Sequence, residues 1–161
     1  MIVAKASFEG RSFSADIHEL EESTFSHISR LSLTRDQLLK KIDGMQISAD
    51  AKLLLSRVSN IVVQIGDKLI AVGRRLLEVA LFIAHEFPMA GIGIVFGLLL
   101  GTLAGAIPLL GVILGPLLTP LAVAFGLVTG VIEDLKDRAL QRRIDEAVAL
   151  YEPLKGEVHV A

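Results

Sequence analysis

The feature that most constrains this chain is an apolar run at residues 89–132, which contains no Asp, Glu, Lys, Arg, His, Asn, Gln or Ser. About 20 helical residues cross the hydrocarbon core of a membrane, because each residue of an α-helix adds about 1.5 Å. The run is long enough for two spans, so we expect apolar helices at residues 89–107 and from about 117 to 132. Its hydroxyl groups belong to Thr102, Thr119 and Thr129.

Proline and glycine near the middle of the run predict a reversal there, since proline costs about 3 kcal/mol and glycine about 1 kcal/mol inside a helix relative to alanine. The result would be a membrane hairpin. Cations flank the run on both sides, so the positive-inside rule places both termini in the cytoplasm and the hairpin in the inner membrane. The turn residues are Pro108, Gly111, Gly115 and Pro116, and the flanking cations are Arg74, Arg75, Lys136, Arg138, Arg142 and Arg143.

Glycine recurs every fourth residue in the first apolar helix, at Gly93, Gly97, Gly101 and Gly105. Such a stripe lets two helix backbones approach closely. It resembles the glycine zippers of homo-oligomeric channels and pore-forming toxins, which implies self-assembly around a pore lined by Thr102, Thr119 and Thr129. The alternative is intramolecular packing of the two arms. The spacing recurs in the second arm at Gly126 and Gly130.

A heptad pattern precedes the run and predicts one long amphipathic helix over residues 48–88, beginning at Ser48. Apolar residues alternate at spacings of three and four, as in a coiled-coil seam. We therefore expect either self-association along this seam or packing within a helical bundle. The seam residues proposed for oligomerisation are Val58, Val62, Ile65, Leu69, Val72, Leu76, Val79 and Ile83.

The remaining segments are polar. Residues 1–47 are expected to form a soluble N-terminal region with a short first strand, an amphipathic helix over residues 13–33 and a short helix over residues 35–43. Thr34 and Gln37 form a capping-box pattern for that short helix, and Gly44 is a stop signal. Residues 133–161 are expected to form a polar helix and a tail with a short strand. The predicted class is mainly α, with four segments: 1–47, 48–88, 89–132 and 133–161.

Motifs for chemistry are missing from the sequence. There is no cysteine, which excludes disulfides and thiolate sites, and the four histidines show no metal-ligand spacing. No phosphate-binding loop or nucleophile elbow is present. The net charge of −2 has no basic block, which gives nucleic-acid binding no support. We expect no enzyme activity and no catalytic, cofactor or metal site.

Three functions fit the sequence. The first is a small self-assembling membrane protein that forms a homo-oligomeric pore or ion channel, with a depolarising effector as one such case. The second is a membrane-anchored scaffold or adaptor that binds a protein partner through its cytoplasmic helices. The third is a soluble helical bundle that hides a pore-forming hairpin, an alternative kept because the chain has no tryptophan for an interfacial belt. The expected partners are the lipid bilayer, a second copy of the chain and that protein partner.

Overall fold

The computed structural model describes residues 2–126 and 138–160, which form a five-stranded antiparallel sheet and seven α-helices. The strands are β1 (Ile2–Phe8), β2 (Arg11–Ile17), β3 (Val62–Ile65), β4 (Lys68–Ile70) and β5 (Glu157–Val160). The helices are α1 (Glu22–Ser29), α2 (Arg35–Asp43), α3 (Ala49–Val58), α4 (Val72–Glu86), α5 (Ile92–Ala106), α6 (Pro108–Ala124) and α7 (Arg138–Ala149). A 3₁₀ turn, Glu152–Leu154, precedes β5.

The sheet has the strand order β4-β3-β1-β2-β5, and each neighbouring pair is antiparallel. Successive side chains of a strand point to opposite faces. On β1, Ala4, Ala6 and Phe8 are buried, whereas Val3 and Lys5 are exposed. One face of the sheet therefore belongs to the hydrophobic core and the other is open to solvent along β1.

Two tight turns connect the hairpins of this sheet. Glu9 and Gly10 join β1 to β2 with φ values of 50° and 77°, and positive φ at both central residues is the type I′ pattern that matches strand twist. Gly66, with φ 64°, is the first of the two residues that join β3 to β4. Glycine adopts this backbone region without strain, so Gly66 sets the register of the second hairpin.

The helical hairpin α5–α6 lies within the fold. Helix α6 contacts β1, β2, β5 and α3, and α5 contacts α6, α4 and α7. Each helix buries leucines on the side that meets these elements, for example Leu99 and Leu103 of α5 and Leu110 and Leu114 of α6. Thirteen of the 38 described residues of the apolar run are therefore buried in the core of the protein itself.

The predicted continuous helix over residues 48–88 is wrong. Ser48 does cap a helix, since its hydroxyl accepts a hydrogen bond from the Ala51 N–H at 3.1 Å. However, α3 ends at Val58, and β3 and β4 separate it from α4. The physical reason is that buried and exposed residues alternate along β3, where Val63 and Ile65 are buried. In addition, the backbone of β3 forms hydrogen bonds with β1 and not within a helix. The predicted mainly-α class and the predicted coiled coil are therefore wrong as well.

The predicted membrane hairpin is also wrong. No helix in the described part of the chain is long and apolar enough to cross a membrane. Helices α5 and α6 have 15 and 17 residues, or about 22 Å and 25 Å, whereas the hydrocarbon core is about 30 Å thick. Ile107, in extended backbone, separates them. The transmembrane, pore-forming and inner-membrane predictions are corrected by this finding.

Local signals in the N-terminal region gave mixed results. The capping box is confirmed, because the Gln37 N–H donates to the Thr34 hydroxyl and the Thr34 N–H donates to the Gln37 side chain. Helix α2 and its stop at Gly44 are confirmed as well. The helix expected over residues 13–33 is wrong: Phe13 and Ile17 are buried residues of β2, and helix occurs only in α1. The strand at the C-terminal end, β5, pairs with β2.

Candidate functional site: the outer face of the helical hairpin

The two apolar helices present a second side that other described elements leave partly uncovered. Its residues are half-buried or exposed and recur at helical spacing. We call this surface the outer face. It consists of Ile94, Gly97, Leu98, Gly101 and Gly105 of α5 and of Gly115, Leu118, Thr119 and Ala122 of α6.

An apolar groove of about 180 Å³ lies in this region between the two helices. At one end the Phe96 and Phe125 rings stack, with centroids 6.1 Å apart and an interplanar angle of 11°. The Phe96 ring is buried and therefore fixed by the core, whereas Phe125 is half-buried. The lining residues are Phe96, Gly97, Leu100, Gly101, Leu118, Leu121, Ala122 and Phe125.

The glycine stripe of α5 has two kinds of surroundings. A Cβ atom on Gly93 would lie 3.0 Å from the Phe125 ring, so Gly93 allows that ring to cover the start of α5. A Cβ atom on Gly101 or Gly105 would meet no described atom within 4 Å. Gly97 and Gly101 line the groove. The stripe is thus in contact with Phe125 at its first glycine, Gly93. At Gly101 and Gly105 no other described element contacts it.

All four residues predicted to form the hairpin turn lie in α6. Pro108 is its first residue, where a missing N–H is tolerated. A Cβ atom on Gly111 would lie 2.5 Å from the Ala104 carbonyl oxygen, so Gly111 permits the close approach of α5 and α6. Gly115 and Pro116 are exposed.

Of the other predicted pore residues, the structure describes Thr102, Thr119 and Gly126. Thr102 is half-buried on α5 and Thr119 is exposed on α6. Gly126 follows α6 with φ 70°. Thr129 and Gly130 lie outside the described residues.

The eight residues predicted for oligomerisation do not form one exposed seam. Val58 ends α3, Val62 and Ile65 belong to β3, and Leu69 belongs to β4. Leu69 is 69% exposed and Val62 is half-buried, whereas the others face the core. The buried members are Val58, Ile65, Val72, Leu76, Val79 and Ile83.

Sequence analysis missed the larger side chains of the groove. Phe96 and Leu100 each precede a stripe glycine and are four residues apart, which places them on the flank of the same stripe. That spacing was the available signal. The contribution of α6, chiefly Leu118 and Leu121, depends on the register of the two helices, which local spacing does not give.

The outer face offers apolar contact and no acid–base chemistry. Residues 92–124 contain no titratable side chain. In the part of the chain that the structure describes, no group of three His, Asp or Glu residues could hold a metal ion. What this surface can do is bind another apolar surface.

Comparison of the chain with protein-family models, with curated proteins and with solved structures gives no match. Its function is therefore inferred from its own geometry.

Proposed function

We propose that this protein is a self-associating interaction module, and that two copies meet through the outer face of α5 and α6. The observation that carries the proposal is an uncharged apolar groove beside Gly101 and Gly105, whose Cβ positions have no atom of another described element within 4 Å. A helix that is apolar around its whole circumference belongs in a buried environment. The core covers one side of α5 and α6, and a second copy covers the other.

Charge favours a second copy as the occupant. Identical surfaces that meet about a twofold axis bring each residue type near its own counterpart, so a charged face would repel itself. The outer face has no charged residue. Half-buried Leu98 and Leu118 supply side chains that the open positions at Gly101 and Gly105 can accommodate on the partner copy.

The size of the face indicates a reversible dimer. Helices of about 22 Å and 25 Å whose axes are about 9 Å apart give a face roughly 20 Å wide and roughly 450 Å² in projection. Standard interfaces bury about 800 Å² of accessible surface on each partner, and transient ones less. The outer face falls towards the transient end, so we expect a dimer that dissociates on dilution.

The test is sedimentation velocity over a range of concentrations, without detergent, on the wild type and on Gly101→Asp. A Cβ atom at this position meets no described atom, so the variant should fold. In the dimer it would place two carboxylates in an apolar contact, and we expect association at least about 100-fold weaker. Gly44→Asp is the matched control: Gly44 is exposed at the end of α2, outside the outer face, with right-handed backbone.

A wild type that stays monomeric at high concentration would overturn the proposal. Equal association by Gly101→Asp and the wild type would overturn it too. Binding of a monomeric wild type to vesicles of phosphatidylcholine, which has no net charge, would identify lipid, and not a second copy, as the occupant of the face. Circular dichroism of both variants establishes that they are folded.

A further inference from the structure

A second and larger groove, of about 750 Å³, lies on the other side of α4 and shares no residue with the outer face. Its floor is one side of α4, where Arg75, Glu78 and Phe82 recur at spacings of three and four residues. One wall is the connection between α1 and α2, and Leu150, just after α7, belongs to the other. We call it the cationic groove.

The wall formed by the α1–α2 connection is fixed to α4 by two side chains one turn apart. The buried Glu78 carboxylate accepts hydrogen bonds from the Ser32 N–H at 3.1 Å and from the Leu33 N–H at 2.6 Å. The Arg74 guanidinium donates to the Leu33 carbonyl oxygen at 3.1 Å. These bonds hold the wall in place without any ligand, so the groove is preformed.

The groove carries an excess of positive charge. Four cations, Arg30, Lys41, Arg75 and Arg143, and one carboxylate, Glu78, line it, which gives a formal charge of +3 with His85 neutral. The Glu78 carboxylate already accepts hydrogen bonds from the two N–H groups, and its Oε2 lies 3.8 Å from Nη1 of Arg75.

The four cations differ in the partners they have. Arg30 and Lys41 are exposed and make no ion pair or hydrogen bond with the described residues. The Arg75 Nε–H is buried and has no hydrogen-bond acceptor among them. Arg143 is held by Glu86 at 3.4 Å, outside the groove. Exposed donors for an anion are therefore available at Arg30 and Lys41, and the Arg75 guanidinium, 19% exposed beside Glu78, adds a third positive charge.

Apart from Ser32 and His85, the rest of the lining is apolar, and it determines the shape of the ligand. The Arg143 guanidinium lies 5.7 Å from the centroid of the Phe82 ring, which places charge and apolar surface side by side. A pocket of several hundred Å³ with mainly apolar walls and a few polar groups suits a small organic molecule. The apolar residues are Leu33, Met45, Val79, Leu81, Phe82 and Leu150.

We infer that the cationic groove binds a small amphipathic carboxylate, with the carboxylate at Arg30, Lys41 and Arg75 and the hydrocarbon part along Val79 and Phe82. Arginine presents paired N–H donors that match the two oxygens of a carboxylate. An inorganic anion would leave the apolar walls wet, and a cation would meet the positive charge. The ligand class thus follows from both halves of the lining.

The chain contains its own reporter for this groove. Tyr151 is the single tyrosine and there is no tryptophan. Its ring is fully buried, and its hydroxyl has no hydrogen-bond partner among the described residues. Burial raises the pKa of the Tyr151 phenol well above its usual value, and the charges of Arg75 and Glu78 also act on it. Neutralisation of Arg75 by a ligand should therefore change tyrosine fluorescence.

The test is calorimetric titration of the full chain with octanoate, followed in parallel by tyrosine fluorescence. We expect a dissociation constant below about 1 mM for a ligand of this size. The double variant Arg30→Gln/Lys41→Gln should bind at least about fivefold more weakly, since two exposed charge interactions are lost. Neither side chain has a described partner, so folding should be unaffected.

Octanol and the variant Lys40→Gln are the matched controls. Octanol keeps the chain and removes the charge, and should bind at least about fivefold more weakly than octanoate. Lys40 is exposed next to Lys41 and does not line the groove, so Lys40→Gln should bind octanoate like the wild type. Equal affinity for octanol, or an equal loss in Lys40→Gln, would overturn the inference. Binding of a glutamate-rich peptide without binding of octanoate would also overturn it.

Discussion

Glycine meets opposite surroundings in two regions of this fold, the contact between α3 and α4 and the outer face of α5. At the first, a Cβ atom on Gly73 would lie 1.8 Å from the Val58 carbonyl oxygen, and the Gly73 N–H donates to the Ile61 carbonyl oxygen at 2.9 Å. At the second, Cβ atoms on Gly101 and Gly105 would meet no atom of another described element within 4 Å. Gly73 is therefore in tight contact with the backbone of its own chain, whereas Gly101 and Gly105 make no such contact with another described element.

The difference teaches how a helical glycine should be interpreted. A glycine in a helix interior weakens the helix by about 1 kcal/mol relative to alanine. Gly73, the second residue of α4, permits a close contact inside the monomer. At Gly101 and Gly105 the described chain provides no such contact, and under the proposed function the second copy provides it. Substitution of Gly73 and of Gly105 by alanine should therefore have opposite effects.

The largest effect is expected for Gly73→Ala. The added methyl group would overlap a backbone carbonyl that cannot rotate away, so the contact between α3 and α4 would have to open. We expect a loss of more than about 3 kcal/mol in the free energy of unfolding. Urea denaturation followed by circular dichroism measures it. A variant as stable as the wild type would show that Gly73 is not in tight contact.

A smaller effect of opposite sign is expected for Gly105→Ala. This position is exposed, is the second-last residue of α5, and has no atom of another described element within 4 Å of its Cβ position. Alanine should stabilise the monomer by up to about 1 kcal/mol, measured by urea denaturation at low protein concentration. The same protein at high concentration should associate more weakly than the wild type. Destabilisation of the dilute monomer would indicate an intramolecular contact at Gly105 and break the comparison.

The smallest effect concerns a residue other than glycine in a glycine-type conformation. Glu9 has φ 50°, and its carboxylate pairs with Arg57 on α3 at 2.6 Å and 2.9 Å. The hydrogen bond from Arg57 lowers the pKa of Glu9 below its ordinary value of 4.5. The pair therefore stabilises the fold at pH values above 4.5, and this contribution is lost as the pH falls through the lowered pKa.

We measure that contribution as the difference in free energy of unfolding between the wild type and Glu9→Gln across this pH range. The difference should be small near neutral pH, because the pair is exposed, and should disappear in acid. A difference that grows in acid would contradict the lowered pKa. Lys40→Gln, a charge change of the same size at an exposed site, should show no such pH dependence.

Local sequence signals predicted the parts of the fold that depend on neighbouring residues. Thr34 and Gln37 gave the start of α2, and Ser48 gave the start of α3, because a cap satisfies its own helix terminus. The helix predicted from Val58 to Val72 was wrong because apolar residues at spacings of three and four also occur in two short strands joined at Gly66. Pairing of β3 with β1 decides between them, and that contact is distant in sequence.

The membrane hairpin predicted from the apolar run was wrong for a related reason. Its length and lack of charge are what a membrane span requires, but a helix buried inside a protein has the same composition. The partners that cover α5 and α6, such as Phe8 and Phe13 of the sheet, lie far away in sequence and are indistinguishable from other apolar residues. The glycine stripe did indicate part of the candidate site, because small residues mark close approach whatever the partner. Leu118 and Ala122 could not be found without the helix register.

The pairing of β2 with β5 has a consequence for the order of folding. Ser14 and His159 are partners in the sheet, although 145 positions separate them along the chain. During synthesis from the N-terminus, β1 and β2 can pair at once through their two-residue turn, but β2 keeps a free edge until β5 has been made. An unpaired edge is a template for pairing with other chains, and distant contacts form slowly. The edge of β2 therefore stays open to pairing with other chains until residues 157–160 have been made.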